Sequence, residues 1–561
     1  MNLYRSLLIC MMLMSSVISV HAESGECQTH LQSYIESNQL DPNYQASFEQ
    51  LVCRLVDADY DEKAVIIESI ANSGHEKSLF VIKSLLNADL FYSKKTKDVV
   101  TREKLENKKY LGTSVLSDKA IGEFKKRKLK KIGINNSLRR TINGVVAELQ
   151  ISSSDIKQRE AAALELLKAA EISALPLLDK AIKKEQDEHV LEILNTARSL
   201  VLLQSDDPVA RIDAIKYLKG SLYVETRNGL NAFLIRAKQE GNLYSKAEIA
   251  EAQKSLDSIN ELMKLNGILE NVYFGVALGA VLLLAAIGLA ITFGVMGVIN
   301  MAHGEMIMLG AYTTFVIQQL MPDNIGLSLV VAVPAAFLVS GLVGVLIERS
   351  AIRHLYGRPL ETLLATFGIS LILQQAVRTI FGPLNQDVQT PDWMAGTFTV
   401  NAGLELTFNR LYIIIFSLLV LAALAVVLKK TLFGLQMRAV TMNRPMASSM
   451  GIRTGWVDAL TFGLGSGIAG IAGVALSQLT NVGPNLGQQY IIDSFMVVVF
   501  GGVGNLWGTL VGAMSLGIAN KIFEPMAGAV LAKIIVLIAI ILFIQKRPRG
   551  LFALKGRSVE D

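Results

Sequence analysis

The sequence has few cysteines and no recognisable catalytic motif, and these absences exclude several classes of protein. It contains 3 cysteines in 561 residues, without the clustered spacing of a zinc site. The phosphate loop Gly-x-x-x-x-Gly-Lys-Ser/Thr is absent, so the chain has no ATPase site of that kind. The zinc motif His-Glu-x-x-His is absent too. We therefore predict that this chain is not an enzyme and holds neither a metal nor a cofactor.

Charged residues are scarce in the second half of the chain. Up to about residue 265 the sequence is rich in Lys, Glu, Asp and Gln, whereas from residue 271 apolar runs follow one another with Gly-rich joints. The net charge of +5 averages over these unlike halves, so it gives no reason to expect a nucleic-acid partner. The length also predicts two or more domains.

The N-terminal residues have the pattern of an export signal. Arg5 precedes an apolar stretch at 7–20, and Val20-His21-Ala22 supplies a signal-peptidase site. The stretch is too short to span a membrane comfortably. We predict a signal peptide at residues 1–22, with an uncleaved anchor as the alternative. Both interpretations place the residues after Ala22 outside the cytoplasm.

Residues 23–265 are predicted to form an extracytoplasmic helical domain. Two stretches are similar: Asp155 and Asp207 each resemble a helix cap and are followed by an alanine and a leucine at equal offsets. These residues are Ala162 and Leu166 in the first stretch, and Ala214 and Leu218 in the second. The pattern is similar to stacked HEAT-type helical repeats, with an ordinary helical domain as the alternative.

Two further features belong to this domain. Since Cys10 falls in the signal, Cys27 and Cys53 are the remaining pair. We predict a disulfide between them because oxidising compartments preserve such bonds, with two free thiols as the alternative. The basic run at 125–131 is predicted to be a solvated surface, with contact to anionic lipid head groups as the alternative.

Residues 266–561 are predicted to form a transmembrane domain with about nine crossings. The apolar segments lie near 272–293, 303–321, 325–347, 360–381, 411–428, 457–478, 493–503, 507–523 and 528–544. The seventh is too short for a full membrane helix. Basic residues follow the third, fifth and ninth segments, whereas the opposite connectors contain little more than Arg410. This asymmetry predicts a cytoplasmic C-terminus and, overall, an all-α polytopic protein of a bacterial inner membrane.

The connector after the fifth segment is unusually long. Residues 434–452 are polar and helix-prone, and a simple turn needs far fewer residues. A short helix there is predicted to contact a soluble partner, and a basic loop that only satisfies the topology is the alternative.

Several motifs in the second half carry a family resemblance. They resemble the branched-chain amino acid permease family of ATP-binding-cassette importers and, within it, the urea-transport branch. The motifs are residues 298–305, 438–451, 463–470, 481–488 and 503–509. The resemblance covers about residues 271–557, and the exported domain is matched only by its architecture.

This resemblance implies a set of partners and a coupling element. The partners are a second permease subunit, two cytoplasmic ATPases that bind ATP and Mg²⁺, and an extracytoplasmic substrate-binding protein. Residues 438–451 match the family's coupling element, where ATPase closure would switch the pathway from outward to inward facing. The coupling residues are expected to be Arg438, Ala439, Asn443, Ala447 and Gly451.

A translocation path for urea needs amide, hydroxyl and backbone partners more than charges. The candidate polar residues are Asn300, Ser466, Asn481, Asn485 and Asn505. Charged groups at membrane depth are few and usually functional; the candidates are His303, Glu305, Arg378, Asp493 and Asp458. His303 and Glu305 are path candidates, or alternatively a structural hydrogen-bonded pair at a helix start.

The sequence therefore predicts an importer permease for urea or short amides. A branched-chain amino acid permease is the alternative of the same class. A membrane-anchored sensor and a passive urea channel are alternatives of other classes. The short tail after the last segment disfavours the sensor, and the long connector disfavours the channel.

Overall fold

The computed structural model describes residues 26–40, 46–105, 109–151, 153–239 and 244–552. The predicted signal peptide at 1–22, with Cys10, lies outside the described residues. The chain divides into two compact units, 1–260 and 261–561, which are described in turn. The domain boundary predicted between residues 265 and 266 stays a prediction.

The described part of the first unit consists of helices around one small sheet. The first helices are α1 (Glu26–Leu40), α2 (Phe48–Arg54), α3 (Tyr60–Asn72) and α4 (Ser78–Leu86). After the sheet follow α5 (Asn136–Gln150), α6 (Ile156–Ala169), α7 (Leu175–Ile182), α8 (Glu188–Leu202), α9 (Pro208–Leu218) and α10 (Val224–Gln239). Helix α11 (Lys246–Met296) contributes residues to both units.

The two stretches predicted to be repeats begin in the same way. Asp155 caps α6 and Asp207 caps α9, each by accepting a hydrogen bond from a backbone N–H of the first turn. Four residues after each cap, Arg159 and Arg211 form ion pairs with buried glutamates. The Arg159 guanidinium holds the pKa of Glu185 below its usual range. These equivalent contacts support an internal repeat, and the HEAT-type architecture stays a prediction.

An antiparallel sheet interrupts the helices of the first unit. Its strands are β1 (Phe91–Ser93), β2 (Val99–Lys104), β3 (Tyr110–Ser114), β4 (Ala120–Phe124) and β5 (Leu129–Lys131), in the order β4-β3-β2-β1-β5. The helical interpretation of residues 23–265 did not include this sheet. In β5 Leu129 is buried while Lys130 and Lys131 are exposed. The exposure of both lysines agrees with a solvated surface for the basic run, and its contact with lipid stays a prediction.

Cys27 and Cys53 are joined by a disulfide that links α1 to α2. Both cysteines are fully buried in an apolar core to which Leu51 and Ile67 also belong. The disulfide therefore adds a covalent link between two short helices that already share one core.

The described part of the second unit is a set of long apolar helices with one hairpin. After α11 follow α12 (His303–Leu320), α13 (Ile325–Ser350), α14 (Pro359–Phe381), α15 (Phe408–Lys430), α16 (Leu432–Met442), α17 (Arg444–Ser449), α18 (Thr454–Ser477), α19 (Leu486–Gly501), α20 (Leu506–Ala527) and α21 (Ala529–Lys546). Strands β6 (Thr397–Asn401) and β7 (Leu404–Thr407) form the hairpin between α14 and α15. The mostly helical, polytopic fold is confirmed.

Each predicted apolar segment overlaps a helix, but two of these helices are less suited than the others to cross a membrane. Among the described residues, 7 helices are long and apolar enough to cross a membrane; α12 and α19 are not among them. Helix α12 carries His303 and Glu305 in its first turn, which lowers its mean hydropathy. The predicted seventh segment, 493–503, was too short: α19 begins at Leu486 and has 16 residues.

Close backbone contacts hold α12, α13 and α18 together. A Cβ atom on Gly310 of α12 would overlap the carbonyl group of Gly470 on α18. One turn earlier on α18, the Ser466 side chain would be overlapped by a Cβ atom on Gly344 of α13. Small residues at these crossings allow the helices to approach closely. By contrast, α14, α15 and α21 have largely exposed outer surfaces.

Candidate translocation seam and connector

The candidate path begins at the break between α11 and α12. Gly297, with a φ of +68°, ends α11 in the left-handed conformation that glycine favours. Asn300 is 2 % exposed, and its Oδ1 accepts a hydrogen bond from the Ala302 N–H. The Asn300 Nδ2 has no partner among the described residues. An amide donor is therefore buried here without a bond.

His303 and Glu305 stand in the first turn of α12 and bond to different partners. The Nε2 atom of His303 lies 2.9 Å from the carbonyl oxygen of Ala285, while its Nδ1 has no partner among the described residues. Oε1 of Glu305 accepts hydrogen bonds from Ser370 at 2.9 Å and Gln374 at 2.7 Å. Its Oε2 is buried and also without a partner in the described part of the chain.

The residues facing Glu305 belong to a polar row on α14. Thr362, Thr366, Ser370, Gln374 and Arg378 recur every four residues, which places them on one face of the helix. The first four are buried, although the rest of α14 is largely exposed. The sequence analysis missed four of these residues. The signal was available, because polar residues at intervals of four inside an apolar segment mark a buried polar face.

This row contacts α12 near one end and the α18–α19 connector near the other. The Oγ1 of Thr366 accepts a hydrogen bond from the Met301 N–H at 3.1 Å. A guanidinium nitrogen of Arg378 donates to Oδ1 of Asn485 at 2.6 Å. We call the α14 row, with Asn300, His303, Glu305 and Asn485, the polar seam. It provides hydroxyl, amide and carboxylate groups along most of the length of one helix.

The other predicted path residues lie away from this seam. Ser466 is buried against Gly344, and its hydroxyl has no partner among the described residues. Asn505 caps α20 by accepting bonds from the Trp507 and Gly508 N–H groups. Asn481 is exposed in the connector between α18 and α19. Of the predicted set, Glu305 and Asn485 bond to the α14 row, Asn300 adjoins Met301, which bonds to it, and His303 bonds to α11.

Two further predicted charged residues form ion pairs. Asp493 of α19 pairs with Lys533 of α21, with 3.0 Å between Oδ2 and Nζ. Asp458, at the start of α18, pairs with Arg444 of α17. These carboxylates already have cationic partners, whereas Glu305 has only neutral hydrogen-bond donors.

The predicted connector forms the two short helices α16 and α17, which have a buried and an exposed face. Met437, Val440 and Ala447 belong to an apolar core of the second unit. Met442, Met446 and Met450 are the opposite case, with exposures of 82 %, 63 % and 77 %. Met446 and Met450 are four residues apart on α17 and its C-terminal end, which places these two on one face, whereas Met442 is the last residue of α16.

The predicted coupling residues have different environments. Arg438 is exposed at an apolar groove of about 1050 Å³ between α11, α15, α16 and α20, and Ala439 is half-buried beside it. Asn443 caps α17 by accepting a bond from the Met446 N–H. Ala447 is 5 % exposed, so it faces the core, and Gly451 is exposed with a φ of +86°.

The second unit matches known transport proteins. Residues 271–544 match the family described as "Branched-chain amino acid transport system / permease component". The permease protein LivH of the high-affinity branched-chain amino acid transport system of Escherichia coli K12 is 32 % identical over 293 residues, which are 50 % of this chain and 94 % of that protein. The chain belongs to the branched-chain amino acid permease family.

More distant relatives agree with this assignment. BraD, the permease protein of the corresponding high-affinity system of Pseudomonas aeruginosa, is 29 % identical over 50 % of this chain and 95 % of its own length. A probable LivH of Methanocaldococcus jannaschii is 27 % identical over 50 % of this chain and 90 % of its own length. No solved structure matches the chain.

Membership of the branched-chain amino acid permease family fixes the general role of the chain. With 7 candidate spans in the described residues, it is a multi-pass inner-membrane permease component of an importer that works with ATPase and binding-protein partners. The matched residues begin at 271, so the first unit, which ends at residue 260, lies wholly outside the family match.

Proposed function

We propose that this permease conducts urea or a short neutral amide, and that the polar seam is its path. The observation that carries the proposal is the chemistry of the seam. Hydroxyl and amide groups predominate along α14, with one carboxylate at Glu305 and one guanidinium at Arg378. Urea presents amino donors and a carbonyl acceptor. The hydroxyl and amide groups of the seam can replace, one at a time, the water molecules that hydrogen-bond to them.

The unpaired atoms of the seam support a guest in this position. Asn300 Nδ2, His303 Nδ1 and Glu305 Oε2 are all buried without a partner among the described residues. An unsatisfied buried polar atom costs about 1–3 kcal/mol. A passing solute that bonds to these atoms would recover part of that free energy without requiring tight binding.

A second candidate is a branched-chain amino acid. The names of the curated relatives favour it. The seam also offers Glu305 for an ammonium group and Arg378 for a carboxylate. In the structure, however, Arg378 already donates to Asn485 and Glu305 already accepts two bonds, so each charge is partly satisfied.

The partners follow the family pattern in this proposal. The chain pairs with a second permease subunit, two cytoplasmic ATPases supply ATP hydrolysis with Mg²⁺, and an extracytoplasmic protein delivers the solute. The first unit is extracytoplasmic and the C-terminus is cytoplasmic. The basic connectors after α13, α15 and α21 support this orientation.

The exposed methionines of the connector are the proposed contact with an ATPase. Met side chains are flexible and suit a surface that must repack during a cycle. Met446→Glu should weaken binding of the ATPase, while Ser448→Glu, an exposed change on the same helix, serves as the control. Two of the expected coupling positions are poor test sites. Ala447 faces the core, and the positive φ of Gly451 disfavours any side chain there.

Uptake by cells lacking the gene tests the solute. Labelled urea and labelled leucine are offered separately at micromolar concentration, with the urease gene inactivated so that hydrolysis does not drive accumulation. We expect urea uptake to disappear on deletion and to return with the restored gene. Unchanged urea uptake together with lost leucine uptake would favour the second candidate.

A further inference from the structure

A cluster of charged side chains joins the connector to the cytoplasmic ends of α13 and α18. Arg444 of α17 pairs with Asp458 of α18, and Arg349 of α13 lies 3.7 Å from Oε2 of its neighbour Glu348. Tyr356 donates to Oε1 of Glu348 at 3.3 Å. We call these five residues the cytoplasmic cluster. Three separate segments of the second unit contribute to it.

The carboxylates of this cluster are buried. The side chains of Asp458 and Glu348 are 0 % and 1 % exposed, whereas those of Arg444 and Arg349 are 39 % and 32 % exposed. Burial raises the pKa of Tyr356, so its hydroxyl remains a donor. Leaving a buried carboxylate without its cation strongly destabilises the folded protein. Separation of the connector from α18 is therefore unfavourable.

Aromatic rings reinforce the same contacts. The Arg444 guanidinium lies 4.4 Å from the centroid of the Tyr356 ring, and the Arg349 guanidinium lies 4.3 Å from that of Trp456. Guanidinium groups at this distance are attracted to aromatic rings. Arg444 is thus held by a carboxylate and by a ring at once, which fixes its position better than one contact would.

The cluster also has a continuous mechanical link to the seam. Asp458 opens α18, and Gly470 of the same helix is in close backbone contact with Gly310 of α12. Helix α12 carries Glu305 in its first turn. We propose that Arg444 and Asp458 are positioning residues that make the connector and α18 move together, so that a displacement of the connector by the ATPase reaches the polar seam.

This inference rests on the proposed coupling of ATP hydrolysis to uptake. The measurement is the number of solute molecules taken up per ATP hydrolysed by the complete complex in proteoliposomes, with Arg444→Gln and Asp458→Asn. We expect ATP hydrolysis to continue and the ratio to fall at least tenfold in both variants. Arg444→Lys, which keeps the charge, should restore the ratio to within about threefold of the wild type.

The controls separate the possible causes of failure. Arg453→Gln removes an exposed cation two residues beyond Gly451 and should leave the ratio unchanged. If Arg444→Gln fails to assemble, Asp458→Asn and Arg444→Lys still decide the question. A wild-type ratio in both Arg444→Gln and Asp458→Asn would overturn the inference. Absence of solute-dependent ATP hydrolysis in the wild-type complex, with urea and with leucine, would instead overturn the proposed function.

Discussion

The polar seam and the cytoplasmic cluster both contain buried carboxylates, but the hydrogen-bonding and ionic partners of these carboxylates differ. Glu305 in the seam accepts bonds only from the neutral groups of Ser370 and Gln374, and one of its oxygens has no partner among the described residues. Asp458 in the cluster is paired with Arg444. An incompletely satisfied site suits a transient guest, whereas a paired site holds two segments together. Substitutions at the two sites should therefore have opposite effects on stability, although both should reduce transport.

The largest effect is expected from Arg444→Met. It leaves the buried Asp458 carboxylate without its cation, at a cost of about 3 kcal/mol, near the lower limit for a buried pair because Arg444 is partly exposed. Substitution of the other member of the pair, Asp458→Asn, should lower the stability less, since Arg444 can turn toward water. Thermal unfolding of the purified protein in detergent measures both. Equal losses of stability in the two variants would mean that the burial of Asp458 does not determine the free energy lost when the ion pair is broken.

A smaller and opposite effect is expected from Glu305→Gln. The substitution keeps the shape but removes a buried charge that has no cationic partner in the described part of the chain, so stability should be unchanged or higher by about 1 kcal/mol. Transport should fall about tenfold, because the strongest acceptor of the seam is lost. Unfolding temperature and labelled-urea uptake are measured on the same preparation. A large loss of stability with normal uptake would make Glu305 a structural residue.

The smallest effect is expected from Ser370→Ala. It removes one of the two bonds to Glu305 and leaves the other, so uptake should fall about twofold to threefold, as expected for a contribution of about 0.5 kcal/mol. Ser417→Ala is the matched control, since the hydroxyl of that buried serine bonds, among the described residues, to Ile414 of its own helix α15. An equal reduction of uptake in both variants would show that the loss of any buried hydroxyl group lowers uptake.

The sequence predicted those features that depend on neighbouring residues. The apolar segments are long continuous runs, so helices α11 to α15 and α18 to α21 were anticipated. The caps Asp155 and Asp207 act within one helical turn and were also recognised. The five-stranded sheet was not, because strands of three to six residues leave little periodicity to detect.

The two sites differ in how far they could be predicted. The seam residues on α14 repeat every four positions, so that face was readable from the sequence, and the resemblance had already drawn attention to Asn300 and Glu305. The cytoplasmic cluster joins Glu348 to Asp458 across more than a hundred residues of chain. Only the tertiary packing brings these two residues together, so no local sequence pattern predicts their contact.

The proposed function requires the polar seam to conduct a small neutral amide when the partner ATPases hydrolyse ATP. Its most direct test is ATP-dependent uptake of labelled urea into proteoliposomes that contain the complete complex and the binding protein. We compare wild type with Glu305→Gln and with Ser417→Ala. We expect urea uptake by wild type and Ser417→Ala, and a reduction of about tenfold in Glu305→Gln. Wild-type uptake of leucine without urea, or full urea uptake by Glu305→Gln, would contradict it.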